Sequence, residues 1–150
     1  MMGNEFLQYK AGRIFLSQLP SGEDIIRSLE DFCRENVVKL AVFSVIGAVS
    51  LCTIGIFDQK QHVHVTSRKD TPMEIITCTG NITLHEDYPY VQAQIILADQ
   101  LGKISGGRLF SDTLLFAGEL QLMELLGPPA NRKYDRNTGR MLWVTKQLKQ

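Results

Sequence analysis

The 150-residue sequence is short of cysteine, with only Cys33, Cys52 and Cys78. They stand too far apart for a Cys-x-x-Cys zinc or redox motif. An odd count, behind an N-terminus with no basic and apolar leader, fits a reducing cytosol. Three buried thiols acting as small apolar groups, in a cytoplasmic protein, are expected. Five prolines and twelve glycines are too few for a collagenous or low-complexity chain. An excess of one charge is also missing: Lys plus Arg and Asp plus Glu are sixteen each. That excludes a strongly basic nucleic-acid binder, but not a local basic patch. Long apolar runs are nearly absent. Leu40 to Phe57 has eighteen residues without a charge, the lower limit for a membrane span. It contains Gly47, Gly55 and three hydroxyl residues, is rich in Val and Ile, and has no flanking basic cluster. Two buried strands joined at Gly47 explain it better than a membrane helix. Gly-x-Ser-x-Gly, His-Glu-x-x-His and Gly-x-Gly-x-x-Gly do not occur. No catalytic residue and no cofactor is therefore expected.

What remains is an ordinary globular composition, 44% hydrophobic and 21% charged, in a chain long enough to bury its own core. It reads as one domain over 1–150, with a core at about 9–144. Strands are expected at Phe6–Lys10 and Arg13–Leu19, broken at Gly12. Ser21 is the expected cap of a helix from about Glu23 to Glu35, which Asn36 ends. Ile25, Ile26, Leu29, Phe32 and Cys33 share one face of it. Further strands are expected at Val38–Ile46, Ala48–Phe57, Gln61–Ser67, Met73–Thr79, Asn81–Leu84, Tyr90–Ala98 and Leu114–Leu126, with a turn at Asp99–Lys103. Helix and strand rarely alternate, so the fold class is α+β: a mostly antiparallel sheet with one or two packed helices.

Three features carry candidate chemistry. Residues 127–150 hold six basic residues, Arg132, Lys133, Arg136, Arg140, Lys146 and Lys149, against Asp135 alone. The body is correspondingly acidic. A basic strand or tail packed on that body is the plainer reading, and contact with DNA is the alternative. His62 and His64 are spaced to lie on one face of a strand. Two imidazoles make an incomplete metal site, and nothing in the sequence brings His85 to them. Gly106-Gly107-Arg108 reads as a glycine turn able to approach a ligand or to form an anion-binding concavity. Gln92, Gln94 and Glu119 flank it on neighbouring strands, and such polar groups need partners if buried.

The order of these features resembles the PPC (plant and prokaryote conserved) domain family. The matching pieces are Gly12-Arg13-Ile14-Phe15, Pro20-Ser21-Gly22-Glu23-Asp24, Val45 to Ser50, Met73-Glu74-Ile75-Ile76 and Thr79-Gly80-Asn81-Ile82. They continue with Asp99 to Lys103, Gly106-Gly107-Arg108-Leu109, Gly118-Glu119-Leu120 and Arg132 to Gly139. The resemblance spans about residues 9 to 144. It implies a compact α+β domain and a homotrimer. Plant members join the domain to an AT-hook that binds DNA, and stand-alone prokaryotic members are described as DNA-binding by that association. This sequence has no Arg-Gly-Arg-Pro hook. The resemblance also implies, in many prokaryotic members, a metal held by a His-x-His pair and a third His directly after Gly-Gly. Here those positions are Gln92, Gln94 and Arg108, so no metal is expected there. Arg108 is instead expected to supply the positive charge, paired with Glu119 or with an incoming carboxylate or phosphate.

Two functions follow. One is a non-enzymatic, homotrimeric interaction module that touches DNA through its basic tail. The other is a small-molecule or anion site, with or without turnover, at the Gly106–Arg108 segment. No membrane partner is expected.

Overall fold

The computed structural model describes residues 6–143. Nine strands and one helix follow one another as β1 (Lys10–Leu19), α1 (Ile25–Glu35), β2 (Ala41–Asp58), β3 (Val63–Lys69), β4 (Met73–His85), β5 (Tyr88–Ala98), β6 (Ile104–Leu109), β7 (Leu114–Leu126), β8 (Arg132–Asp135) and β9 (Arg140–Trp143). All pairings between these strands are antiparallel. The main sheet runs β1-β7-β2-β4-β5-β6, with β3 paired to β2, and β8–β9 form a separate hairpin. This is the expected α+β architecture. Among the described residues, no helix is long and apolar enough to cross a membrane.

The apolar run of Leu40–Phe57 is one strand of eighteen residues, not two. Gly47 marks a bulge within it, with φ at +133°. A side chain there would meet the Ala117 carbonyl oxygen at 2.1 Å. Glycine therefore lets the strand bend and continue. The first half of β2 pairs with β7 and β4, and its second half turns to pair with β3 and β6. The sheet thereby curls until β6 meets β2 at Ile54–Leu109 and Gly55–Arg108.

Gly12 and Gly80 likewise lie inside single strands, β1 and β4. Phe6–Tyr9 lies outside any strand. The helix begins at Ile25, and its cap is Asp24 rather than Ser21. One Asp24 carboxylate oxygen accepts from the Arg27 amide and the other from the Thr113 amide, each at 3.0 Å. The same side chain thus starts the helix and ties it to the chain entering β7. Ser21 instead donates to the Phe116 carbonyl. Asn36 ends the helix as expected.

Ile25, Leu29 and Cys33 of α1 are fully enclosed against Val45, Ile82, Ile95, Leu120 and Leu122 from the inner face of the sheet. Each such Ile, Leu or Val side chain contributes about 1.5–3 kcal/mol of burial. Cys33, Cys52 and Cys78 are all buried free thiols. The opposite face of the sheet carries the candidate site.

Candidate functional site

In an antiparallel sheet, residues directly opposite each other share a face. The register therefore defines one row across the outer surface: Thr66, Gly55, Arg108, Gln94, Thr79 and Ser44. Arg108 and Gln94 are direct neighbours in it. Gln92 lies on the same face of β5, beside Asn81. Gly106 and Gly107 do not form a turn. They are mid-strand residues of β6, paired with Ile96 and Ile95. A Cβ on Gly107 would stand 2.6 Å from the Gly55 carbonyl oxygen, and one on Gly106 2.9 Å from that of Ile95. The two glycines let β6 fit closely between β2 and β5, which corrects the expected anion-binding concavity.

Glu119 has the right face but the wrong place. It pairs with Gln18 and Ile46, and Ile46 lies nine residues along β2 from the Arg108 partner Gly55. That is about 30 Å of strand, so within the chain Glu119 does not meet Arg108.

Other residues do. Arg108 donates to the Tyr90 hydroxyl at 3.0 Å, and its other terminal nitrogen lies 3.4 Å from His64 Nε2. Its guanidinium stands 5.5 Å from the centre of the Phe110 ring. His64 is wedged between Phe57 and Phe110, with ring centres 4.9 and 5.1 Å away. Burial, together with the positive charges of Arg108 and Arg140, pulls the His64 imidazole below its ordinary pKa. Arg140, from β9, stands over the other side of this aromatic cluster, 5.3 Å from the Phe57 ring centre. His64, Arg108, Arg140, Gln94, Thr77 and Thr79 line a pocket of about 520 Å³ that has no carboxylate in its wall.

Arg132 completes the cationic cluster from behind. It is 6% exposed and donates to Thr83 Oγ1, Asn81 Oδ1 and the Met141 carbonyl at 2.8–2.9 Å. Its guanidinium lies against the rings of Tyr90 and Trp143. Burial lowers its pKa from the ordinary arginine value; Arg108 and Arg140 lower it further, while Tyr90 opposes. Among the described residues none of these three arginines forms an ion pair, whereas Arg13, Arg34 and Arg68 do. Isolated charges held out of water are unfavourable; Arg132 is the buried one of the three, and its hydrogen bonds to three neutral acceptors offset that cost.

The expected basic tail is thus divided. Arg132 is a buried structural residue, not a surface cation, because its fork is saturated by the sheet it docks on. Arg140 faces the pocket. Lys133 and Arg136 are exposed on the hairpin, and Lys146 and Lys149 lie outside the described residues. The two histidines also separate. His62 precedes β3 with φ at +56° and is exposed, so only His64 points at the pocket. His85 is elsewhere, against the Arg132 carbonyl. Among the described residues, no three His, Cys, Asp or Glu gather as a metal would need.

Sequence reasoning missed Tyr90, Phe110 and His64 as partners of Arg108, and Phe57 as the ring beside His64 and Arg140. Tyr90 carried a signal, since it shares the parity of Gln92 and Gln94 on β5. The aromatic pair did not, because it is assembled by the pairing of β2, β3 and β6.

The fold has close counterparts. A metal-containing protein of Archaeoglobus fulgidus is 32% identical, with a TM-score of 0.89 over 94% of this chain and 99% of its own. A plant- and prokaryote-conserved protein of Pyrococcus horikoshii is 28% identical, with a TM-score of 0.88 over 94% and 97%. A candidate DNA-binding protein of Bacteroides thetaiotaomicron shares the fold at 22% identity, with a TM-score of 0.81 over 91% and 97%. No curated protein matches the chain. The Archaeoglobus relative raises the question of a metal here. The positions singled out for one present two amides and a guanidinium. Amides are poor zinc ligands, and a guanidinium has no lone pair to give. With Arg108 already bonded to Tyr90, the site does not fit a metal cation. The model of the Plants and Prokaryotes Conserved domain matches residues 7–126, and the chain belongs to that family.

Proposed function

We propose that this chain is a non-enzymatic, self-associating domain that binds an anion in the pocket of His64, Arg108 and Arg140. The observation that carries this reading is three clustered arginines with no carboxylate among them. Arg108 takes the role of a fixed positive charge where the family resemblance implies a metal. Arg140 and the Thr77 and Thr79 hydroxyls supply further donors from the neighbouring strands. His64 stands in the pocket wall with no thiol, serine or carboxylate beside it, and binding rather than turnover is the proposal.

Homotrimer formation is part of the same reading. Its support is the family and an uncharged row on the outer face, where Ile14, Met123 and Val42 are neighbours beside the exposed Leu16 and Ile46. Copies of the chain are the proposed cover for that row. Light scattering should give about three times the 16.9 kDa of one chain; a monomer would contradict it.

The anion site is tested by thermal unfolding with rising inorganic phosphate against matched sodium chloride. Phosphate at about 100 times its Kd stabilises by about 2.7 kcal/mol, which is about 8 °C for a domain of this size. Arg108→Ala should abolish the excess. An equal rise in the variant would reduce the effect to general salting and refute the site. Stoichiometric zinc in untagged protein would also refute it.

A second reading, contact with the DNA backbone, is favoured by the exposed Lys133 and Arg136 beside the same cluster. Anisotropy of a labelled duplex would then fall steeply with salt. No binding at low salt would remove that reading and leave the pocket intact.

A further inference from the structure

The pocket is larger than a bare anion and has two kinds of wall. At roughly 520 Å³, it is far roomier than one inorganic ion needs, and such an ion would leave most of it open. The polar row of Thr79, Gln94 and Arg108 forms one side. The adjacent row along the same strands is Thr77, Ile96 and Gly106, one side-chain repeat or about 7 Å away. Ile104 joins Ile96 on that second side, two residues from Gly106 on the same face of β6, and both are exposed. Gly106 leaves bare backbone as a flat floor between them. The cations lie at one end and the isoleucines at the other.

Resting on the anion reading above, we infer that the ligand is an amphipathic organic anion, with a carboxylate or phosphate head on Arg108 and Arg140 and an apolar body on Ile96 and Ile104. The head and the body are separated by one strand repeat. That distance suits a compact ring or branched chain bearing its charge directly. His64 stands beside the head as a further donor, and the Phe57 and Phe110 rings keep water from the rear of the cations.

Calorimetric titration of the full chain with phenyl phosphate, benzoate, inorganic phosphate and neutral benzyl alcohol tests this. At least one aromatic anion should bind about tenfold or more tighter than inorganic phosphate, the gain from burying about two methylene equivalents. Benzyl alcohol should not bind. Phenyl phosphate binding with benzoate silent would assign the head as phosphate, and the reverse as carboxylate. Ile96→Thr and Ile104→Thr, at exposed positions that keep strand propensity, should erase the aromatic advantage and leave inorganic phosphate unchanged. Equal affinity for phenyl phosphate and inorganic phosphate would overturn the ligand class and keep the anion site. Failure of every anion would overturn both.

Discussion

Replacing Arg132 by methionine separates a structural arginine from a surface contact. Methionine retains the stem and most of the volume but removes the fork. Three acceptors then lose a charge-assisted donor: Thr83 Oγ1, which is in a buried residue, Asn81 Oδ1 and the Met141 carbonyl. An abandoned buried acceptor costs about 1–3 kcal/mol, and the contacts with Tyr90 and Trp143 add to the loss. Two effects oppose it. The guanidinium no longer has to be held out of water, and its repulsion with Arg108 and Arg140 disappears. The balance is a loss of about 2–3 kcal/mol, or about 8 °C in Tm for 150 residues. Differential scanning calorimetry of Arg132→Met beside Lys133→Met provides the assay. Lys133 is exposed, so its variant should stay within about 0.5 kcal/mol of the parent. Equal and small shifts in both would refute the reasoning and return Arg132 to the surface.

Three other outcomes are expected. Gly107→Ala should destabilise by about 1–3 kcal/mol, because the new Cβ meets the Gly55 carbonyl at 2.6 Å and backbone cannot swing away; chemical denaturation reads this, and an unchanged midpoint would contradict it. Hydrogen bonds from Arg13 hold the Glu124 carboxyl below its usual range. Its contribution is therefore full above the unfolded value of about 4.3 and is lost as pH falls through the lowered native value; Glu124→Gln should flatten the acid limb of a stability–pH curve. Burial pushes the Cys33 and Cys78 thiols up to about 12. Neither should react with a thiol reagent at pH 8 until denaturant is added, and rapid labelling of the native protein would contradict this.

The parts of the fold that were legible in the sequence are those written by short-range periodicity. The helical face of Ile25, Leu29 and Cys33 and the full span Leu114–Leu126 of β7 follow from spacing alone. Glycine misled in a consistent way. Gly12, Gly47 and Gly80 were expected to end strands, yet each lies within one. At Gly80 a side chain would meet the Gln92 carbonyl at 2.0 Å, so the residue marks close strand approach. Gly106-Gly107-Arg108 reads as a turn for the same reason, and that hid β6. At the site, period-two alternation puts Gln92 and Gln94 on one face, as the register shows. Glu119 is legible only as a residue of a neighbouring strand, because spacing does not encode position along it. Arg140 and His64 reach Arg108 through the curl of β2 and the docking of the hairpin, which are long-range events with no local signature. The Archaeoglobus likeness shows the scaffold.

The most direct test of the account is NMR of the arginine Nε–H and histidine ring signals during titration with phenyl phosphate. The account predicts saturable shifts at Arg108, Arg140 and His64. Burial, and after it the Arg108 and Arg140 charges, hold the His64 pKa down; the anion offsets the charges, so that pKa should rise on binding. Shifts confined to Lys133 and Arg136 on the exposed hairpin, with Arg108 and His64 unmoved, would contradict it.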